Sequence, residues 1–146
     1  MAVKKLAKNT YRISEWGAFG PVKMYLLIGT NRALLIDSGY GKINLKKIVN
    51  SLTDKPVTLL LTHGHLDHAN GSASFDAYLH ENDYDVYDWH SDPEFLKSYS
   101  KGKMIPKAHL KPLLPCTVDL GGRKVDVIHT PGHTLGSVCI LDKYSG

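Results

Sequence analysis

The sequence predicts a layered α/β domain, and three observations predict it. Short β-like runs punctuated by glycine turns fill the first third, an amphipathic helical stretch follows, and residues 57–61 (Val-Thr-Leu-Leu-Leu) form a continuous apolar run. Such a run is the pattern of a strand buried on both faces, and strand, helix and buried strand in succession imply helices laid against a sheet. A length of 146 residues fits one compact domain. With 42% hydrophobic and 22% charged residues, the chain has enough apolar surface to offset its conformational entropy, which excludes disorder throughout.

Residues 10–14, 22–28 and 32–36 read as meandering antiparallel strands, because Gly17, Gly20-Pro21 and Gly29-Thr30-Asn31 separate them. Residues 43–52 read as a helix, with Leu45, Ile48, Val49 and Leu52 on one face, lysines opposite and Pro56 as the stop. After the buried strand, residues 69–77 are expected to form a short helix and residues 85–87 a short strand. Ser91-Asp92-Pro93-Glu94 is expected to supply an N-cap, followed by Pro near the first turn, for a helix running to about Tyr99. Residues 101–115, rich in Lys and Pro, read as a surface loop. Gly121-Gly122 between residues 117–120 and 124–128 is a hairpin signal, and residues 137–141 form one more apolar run. The turn-forming residues Asp142 to Gly146 then suggest a chain that stops within a hairpin.

No apolar run approaches the roughly 20 residues of a membrane-spanning helix. The basic start of the chain, with Lys4, Lys5 and Lys8, lacks the apolar segment of a secretory signal. Cys116 and Cys139 form no C-x-x-C pair and are expected to be buried thiols, which points to the reducing cytoplasm. A net charge of +4 is spread along the chain. Lys97, Lys101, Lys103, Lys107 and Lys111 match no nucleic-acid-binding pattern and read as a solvated stretch.

Chemistry concentrates in two places, Thr62-His63-Gly64-His65-Leu66-Asp67-His68 after the buried strand and Thr130-Pro131-Gly132-His133-Thr134 after the strand at 124–128. A loop leaving a buried strand is rigid at its base and turns outward, which suits ligands converging within about 2.0–2.2 Å of one cation. Gly64 lets the backbone bend so that His63 and His65 can share a cavity. With His133 they would make a three-His site whose fourth position stays open. Three His and one Asp within six residues gain nothing for packing and would leave unmetallated imidazole nitrogens in need of partners. His80, His90, His109 and His129, each isolated, read instead as ordinary surface or core residues.

His63-x-His65-x-Asp67-His68 resembles the H-x-H-x-D-H signature of the metallo-β-lactamase superfamily, which includes glyoxalase II-like thioesterases, lactonases and many metal-dependent hydrolases. Leu34-Leu35-Ile36-Asp37-Ser38-Gly39 is similar to the family's early strand and Asp-containing turn, and Thr130 to Ser137 resembles its next His motif. The resemblance spans nearly the whole chain, residues 1–146, read as one domain. It implies an α/β fold of αββα sandwich type, with His63, His65 and His133 on one ion and Asp67 with His68 beginning a second site. The family's bridging Asp and last His have no counterpart here, so the sequence is expected to be an N-terminal portion of the fold, incomplete at the C-terminus.

The function this implies is zinc-dependent hydrolysis of an ester, thioester, lactone or related small-molecule bond, with Asp67 binding metal and orienting the attacking water. Asp37 is expected to accept an imidazole N–H behind the metal ligands. Iron-dependent redox chemistry is the competing reading, and a metal-binding fragment without turnover is a third. An open edge at residues 137–141 would favour self-association. Tyr78, Tyr84, Tyr87 and Trp89 read as packing residues, while Trp16 and Phe19 are candidate walls of a substrate pocket by family analogy.

Overall fold

The computed structural model describes residues 2–100 and 105–144. A seven-stranded sheet runs in the order β1 (Ala2–Ala7), β2 (Thr10–Gly17), β3 (Gly20–Ile28), β4 (Ala33–Ile36), β5 (Val57–Leu60), β6 (Asp76–Leu79) and β7 (Leu110–Pro112). Its first four strands pair antiparallel, and β4 to β7 pair parallel. A second sheet of β8 (Cys116–Asp119), β9 (Lys124–His129) and β10 (Val138–Asp142) is antiparallel in the order β10-β9-β8. Helices α1 (Leu45–Leu52), α2 (Leu66–Ala69), α3 (Tyr84–His90) and α4 (Pro93–Ser100) complete the chain.

Period-two alternation sends neighbouring leucines to opposite cores. Leu26, Leu35 and Leu59 meet Leu45 and Val49 of α1 and Tyr87 of α3 in one cluster. Leu27, Leu34 and Leu60 meet Val125, Val127 and Val138 between the two sheets in the other. The layers are therefore helix, sheet, sheet, three of the four expected of the αββα sandwich. Strand β5 is buried on both faces, as its apolar run requires.

The helix at 43–52 forms from Leu45, with Asn44 accepting from the Lys47 N–H at 3.0 Å. Three secondary-structure expectations fail. Residues 69–77 are not one helix: a 3₁₀ turn over Ser72–Ser74 leads into β6, because Ala77 and Leu79 fill the slot beside β5. Residues 85–87 lie in α3, since Tyr84 and Tyr87, three apart, must reach the same core. The helix α4 forms where the Ser91-Asp92-Pro93-Glu94 signal puts it: Asp92 caps it by accepting from the Glu94 and Phe95 N–H groups, while the Ser91 hydroxyl donates to the Tyr87 carbonyl. Within the expected loop, residues 110–112 form β7 at the sheet edge, and 101–104 lie outside the described residues. The hairpin about Gly121-Gly122 and the final strand form as expected, and β1, unforeseen, extends the first sheet.

Two buried charges that the sequence reading left unassigned brace the frame. Glu15 accepts from the backbone N–H groups of Tyr40, Lys42 and Ile43 at 2.6, 2.7 and 2.9 Å, fixing the turn that follows β4. Arg123 donates to Asp142, to the Asn9 carbonyl and to the Thr10 hydroxyl, which clasps the second sheet to the first. Cys116 and Cys139 are exposed free thiols, not buried ones: Cys139, opposite the exposed Ile128, lies on the outer face of the small sheet, and Cys116, opposite Val127, lies at the start of the edge strand β8. Lys97, Lys107 and Lys111 pair with Glu94, Asp88 and Asp76, consistent with a solvated face.

Candidate metal centre

Strand β4 is followed by Asp37, whose φ of 61° turns the chain sharply while its own N–H stays on the Leu60 carbonyl at 2.9 Å. An Asp side chain tolerates this left-handed conformation better than bulkier residues. The turn delivers a buried carboxylate to the end of β5, where it accepts from the Thr62 N–H at 2.7 Å and from the Thr62 hydroxyl at 2.9–3.0 Å. It also meets His68 Nδ1 at 2.7 Å. The imidazole that Asp37 faces is that of His68.

Thr62 passes the order on to His63. Its hydroxyl proton goes to Asp37, so its oxygen accepts from His63 Nδ1–H at 3.0 Å, which leaves the Nε2 lone pair of His63 free. His65 and His133 face it, with ring centroids 4.8 and 4.9 Å from that of His63 and 4.8 Å from each other. The three rings are nearly perpendicular, at 82°, 78° and 88°, like the faces of a corner. His65 Nδ1 lies 3.1 Å from His133 Nε2, near the about 3.3 Å that separates two nitrogens on a tetrahedral zinc. One nitrogen from each residue falls within 4.8 Å of the others, so the donor set fits a single divalent cation.

His133 reaches this corner from the turn between β9 and β10. The Val138 N–H donates to the Thr62 carbonyl at 2.9 Å, which joins the two ligand loops across the sheets. Asp67 and His68 sit beside the triad, with Asp67 Oδ2 3.5 Å from His68 Nε2. Burial and the neighbouring imidazoles hold His63 down at about 4, outweighing Asp37. Burial also pulls His68 down, but its hydrogen bond to Asp37 and the charges of Asp37 and Asp67 leave the net shift upward.

A cleft of about 440 Å³ opens onto the rings, with Phe19, Leu66, Trp89, His90, Phe95 and Tyr99 as its other walls, beside Asp67 and His68. The aromatic rings form a continuous wall: His90 packs 4.8 Å from His65 and is stacked on Phe95, which touches Trp89 and Tyr99, and Tyr99 touches Phe19. Phe19 is a wall, as expected, and Trp16 is not. Trp89 also lines the cleft, whereas Tyr78, Tyr84 and Tyr87 pack in the cores. His90, read as an ordinary histidine, belongs to the site, its Nδ1 accepting from the Leu66 N–H at 3.2 Å. No local signal marked it, because only the packing of α3 against the first loop brings it there.

The family model described as the metallo-beta-lactamase superfamily matches residues 17–146. An acyl-coenzyme A thioesterase of Bos taurus is 28% identical over 173 residues, covering 97% of this chain and 62% of that protein. An atrochrysone carboxyl ACP thioesterase of Passalora fulva is 29% identical over 125 residues, covering 82% of this chain and 33% of that protein. Among solved structures, a class B3 di-zinc metallo-beta-lactamase from an Alaskan soil metagenome superposes with a TM-score of 0.71 at 25% identity, covering 97% of this chain and 57% of that one. The chain thus spans less than two thirds of the length of these relatives. By its sequence match and its fold, it belongs to the metallo-beta-lactamase superfamily.

Proposed function

We propose that the chain is the metal-binding portion of a zinc-dependent hydrolase acting on thioesters of apolar acyl groups. The observation that carries this reading is the corner of His63, His65 and His133 opening directly onto an aromatic wall. The named relatives that cleave thioesters support the choice of bond. Zinc held by the three rings would supply Lewis acidity and a nucleophile at neutral pH. Everything else falls to the chain. Phe19, Trp89, Phe95 and Tyr99 would bind the acyl group and exclude water from one side of the scissile carbonyl. Asp67, partly exposed beside His68, would bind metal and orient the attacking water through its carboxylate oxygens. His68, held by Asp37, would keep that carboxylate in place. Free thiols at Cys116 and Cys139 support a reducing compartment such as the cytoplasm, and the place of β10 at the edge of its sheet among the described residues supports self-association.

The test is hydrolysis of a series of acyl thioesters by the chain stripped of metal and then reloaded with zinc. Turnover is followed by the ultraviolet absorbance of the thioester bond, because the two exposed cysteines would consume a thiol reagent. Zinc-dependent turnover that rises with acyl length is expected. Hydrolysis unaffected by metal removal would overturn the reading, and oxygen uptake by an iron-loaded chain without hydrolysis would replace it with a redox one.

A further inference from the structure

We infer that Asp83 is the positioning residue that sets the separation of the two ligand loops and so the affinity of the site for its metal. Its side chain is fully buried just before α3, and its own N–H is anchored on the His80 carbonyl at 2.9 Å. Both carboxylate oxygens are spent on the loops. Oδ2 accepts from the Gly64 N–H at 2.8 Å and from the Thr134 hydroxyl at 2.7 Å, and Oδ1 accepts from the Gly136 N–H at 2.7 Å. Gly64 lies between His63 and His65, and Thr134 follows His133. One carboxylate therefore grips the backbone between two ligands on one loop and the residue beside the third ligand on the other.

The flanking glycines follow from this grip. Gly64 is not among the glycines at positive φ, so bending is not what requires it. A Cβ there would stand 2.8 Å from the Asp83 carbonyl oxygen and 2.9 Å from the Tyr87 nitrogen. At Gly136 a Cβ would meet the Asp83 carboxyl group at 2.8 Å. Both loops approach the turn at Asp83 more closely than any side chain permits. Hydrogen bonds to an ionised acceptor are about twice as strong as neutral ones, and burial screens them little. His133 itself is exposed, so packing does not hold it, and the link through Thr134 and Gly136 does.

The inference rests on reading the three imidazoles as a metal site, and the test separates the two. The 146-residue chain and its Asp83→Asn variant are stripped of metal. Zinc affinity is then measured by competition with a chromophoric chelator, and cobalt is bound to report ligand geometry through its visible absorption. In either orientation the new amide turns an N–H₂ toward a backbone N–H, of Gly136 or of Gly64. The variant is expected to keep its far-ultraviolet circular dichroism, to bind zinc about ten- to hundredfold more weakly, and to give an altered cobalt spectrum. A folded variant with wild-type affinity and spectrum overturns the inference while leaving the metal site intact. A wild-type chain that binds neither metal overturns both. Should Asp83→Asn fail to fold, Thr134→Val, which removes the hydroxyl donor and keeps both backbone bonds, is expected to weaken zinc binding several-fold, and unchanged affinity would overturn the inference.

Discussion

The two ligand loops are held by opposite means. The loop after β5 is built from the inside: His63 is only 8% exposed, its ring is ordered by Thr62, and Thr62 is ordered by Asp37 from the neighbouring strand. The loop after β9 stands outside, with His133 exposed and tethered through its backbone and Thr134. In the first loop the core itself fixes the ligand, so changes there alter folding and metal binding together. In the second, the ligand is separable from the core, and changes should reach the metal while sparing the fold.

The largest expected effects come from the ligands. His63→Ala and His133→Ala should each weaken zinc binding by more than about a hundredfold, beyond the loss of an outer partner. Their stabilities without metal should differ. His133→Ala should stay within about 0.5 kcal/mol of the parent, as exposed substitutions do, whereas His63→Ala should lose about 1–2 kcal/mol with its packing and its bond to Thr62. Urea unfolding of the metal-free proteins measures this, and equal losses would erase the contrast between the loops.

Next is Asp37→Asn, which disturbs Thr62 and His68 at once. It should cost about 1–3 kcal/mol of stability and about ten- to hundredfold in metal affinity. Thermal unfolding and chelator competition report the two effects, and a variant weakened in metal binding alone would show that Asp37 is not part of the core.

Acid sensitivity should also report the buried ring of the first loop. His63 is held near 4 in the folded chain against 6.5 unfolded, so as pH falls from 6.5 the unfolded chain takes the proton first and stability declines until about pH 4. His68 is raised and works in the other direction: its contribution is full below 6.5 and is lost as pH rises through its folded value. For these two groups the metal-free chain is most stable near pH 6.5. Urea midpoints across pH should show the acid decline in the parent and a flatter limb in His63→Asn, and an unchanged limb would contradict the assignment. The smallest effect belongs to the cleft. Trp89→Ala should raise KM a few-fold for long-chain thioesters with kcat nearly unchanged, which a comparison of short and long acyl groups would detect.

The same asymmetry governs what the sequence made legible. Strand β5 and its histidine loop were readable because an uninterrupted apolar run and a dense ligand pattern are both local. His133 was readable for the same reason, from its Pro-Gly-His turn. Residues 69–90 were not: β6 is four residues long and is defined by the slot beside β5, and the Tyr84–Tyr87 spacing is too short to establish a period. Asp83 and His90 lie on that stretch, where local pattern was weakest, while Phe95 and Tyr99 lie on α4, a helix that was readable although its place beside the cleft was not. Glu15 and Arg123 escaped because their partners are distant in sequence.

The most direct test is anomalous diffraction from a crystal of the chain grown with zinc. A peak about 2.0–2.1 Å from one nitrogen each of His63, His65 and His133 is the expected result. The three rings turned apart at saturating zinc, with no peak among them, would contradict it.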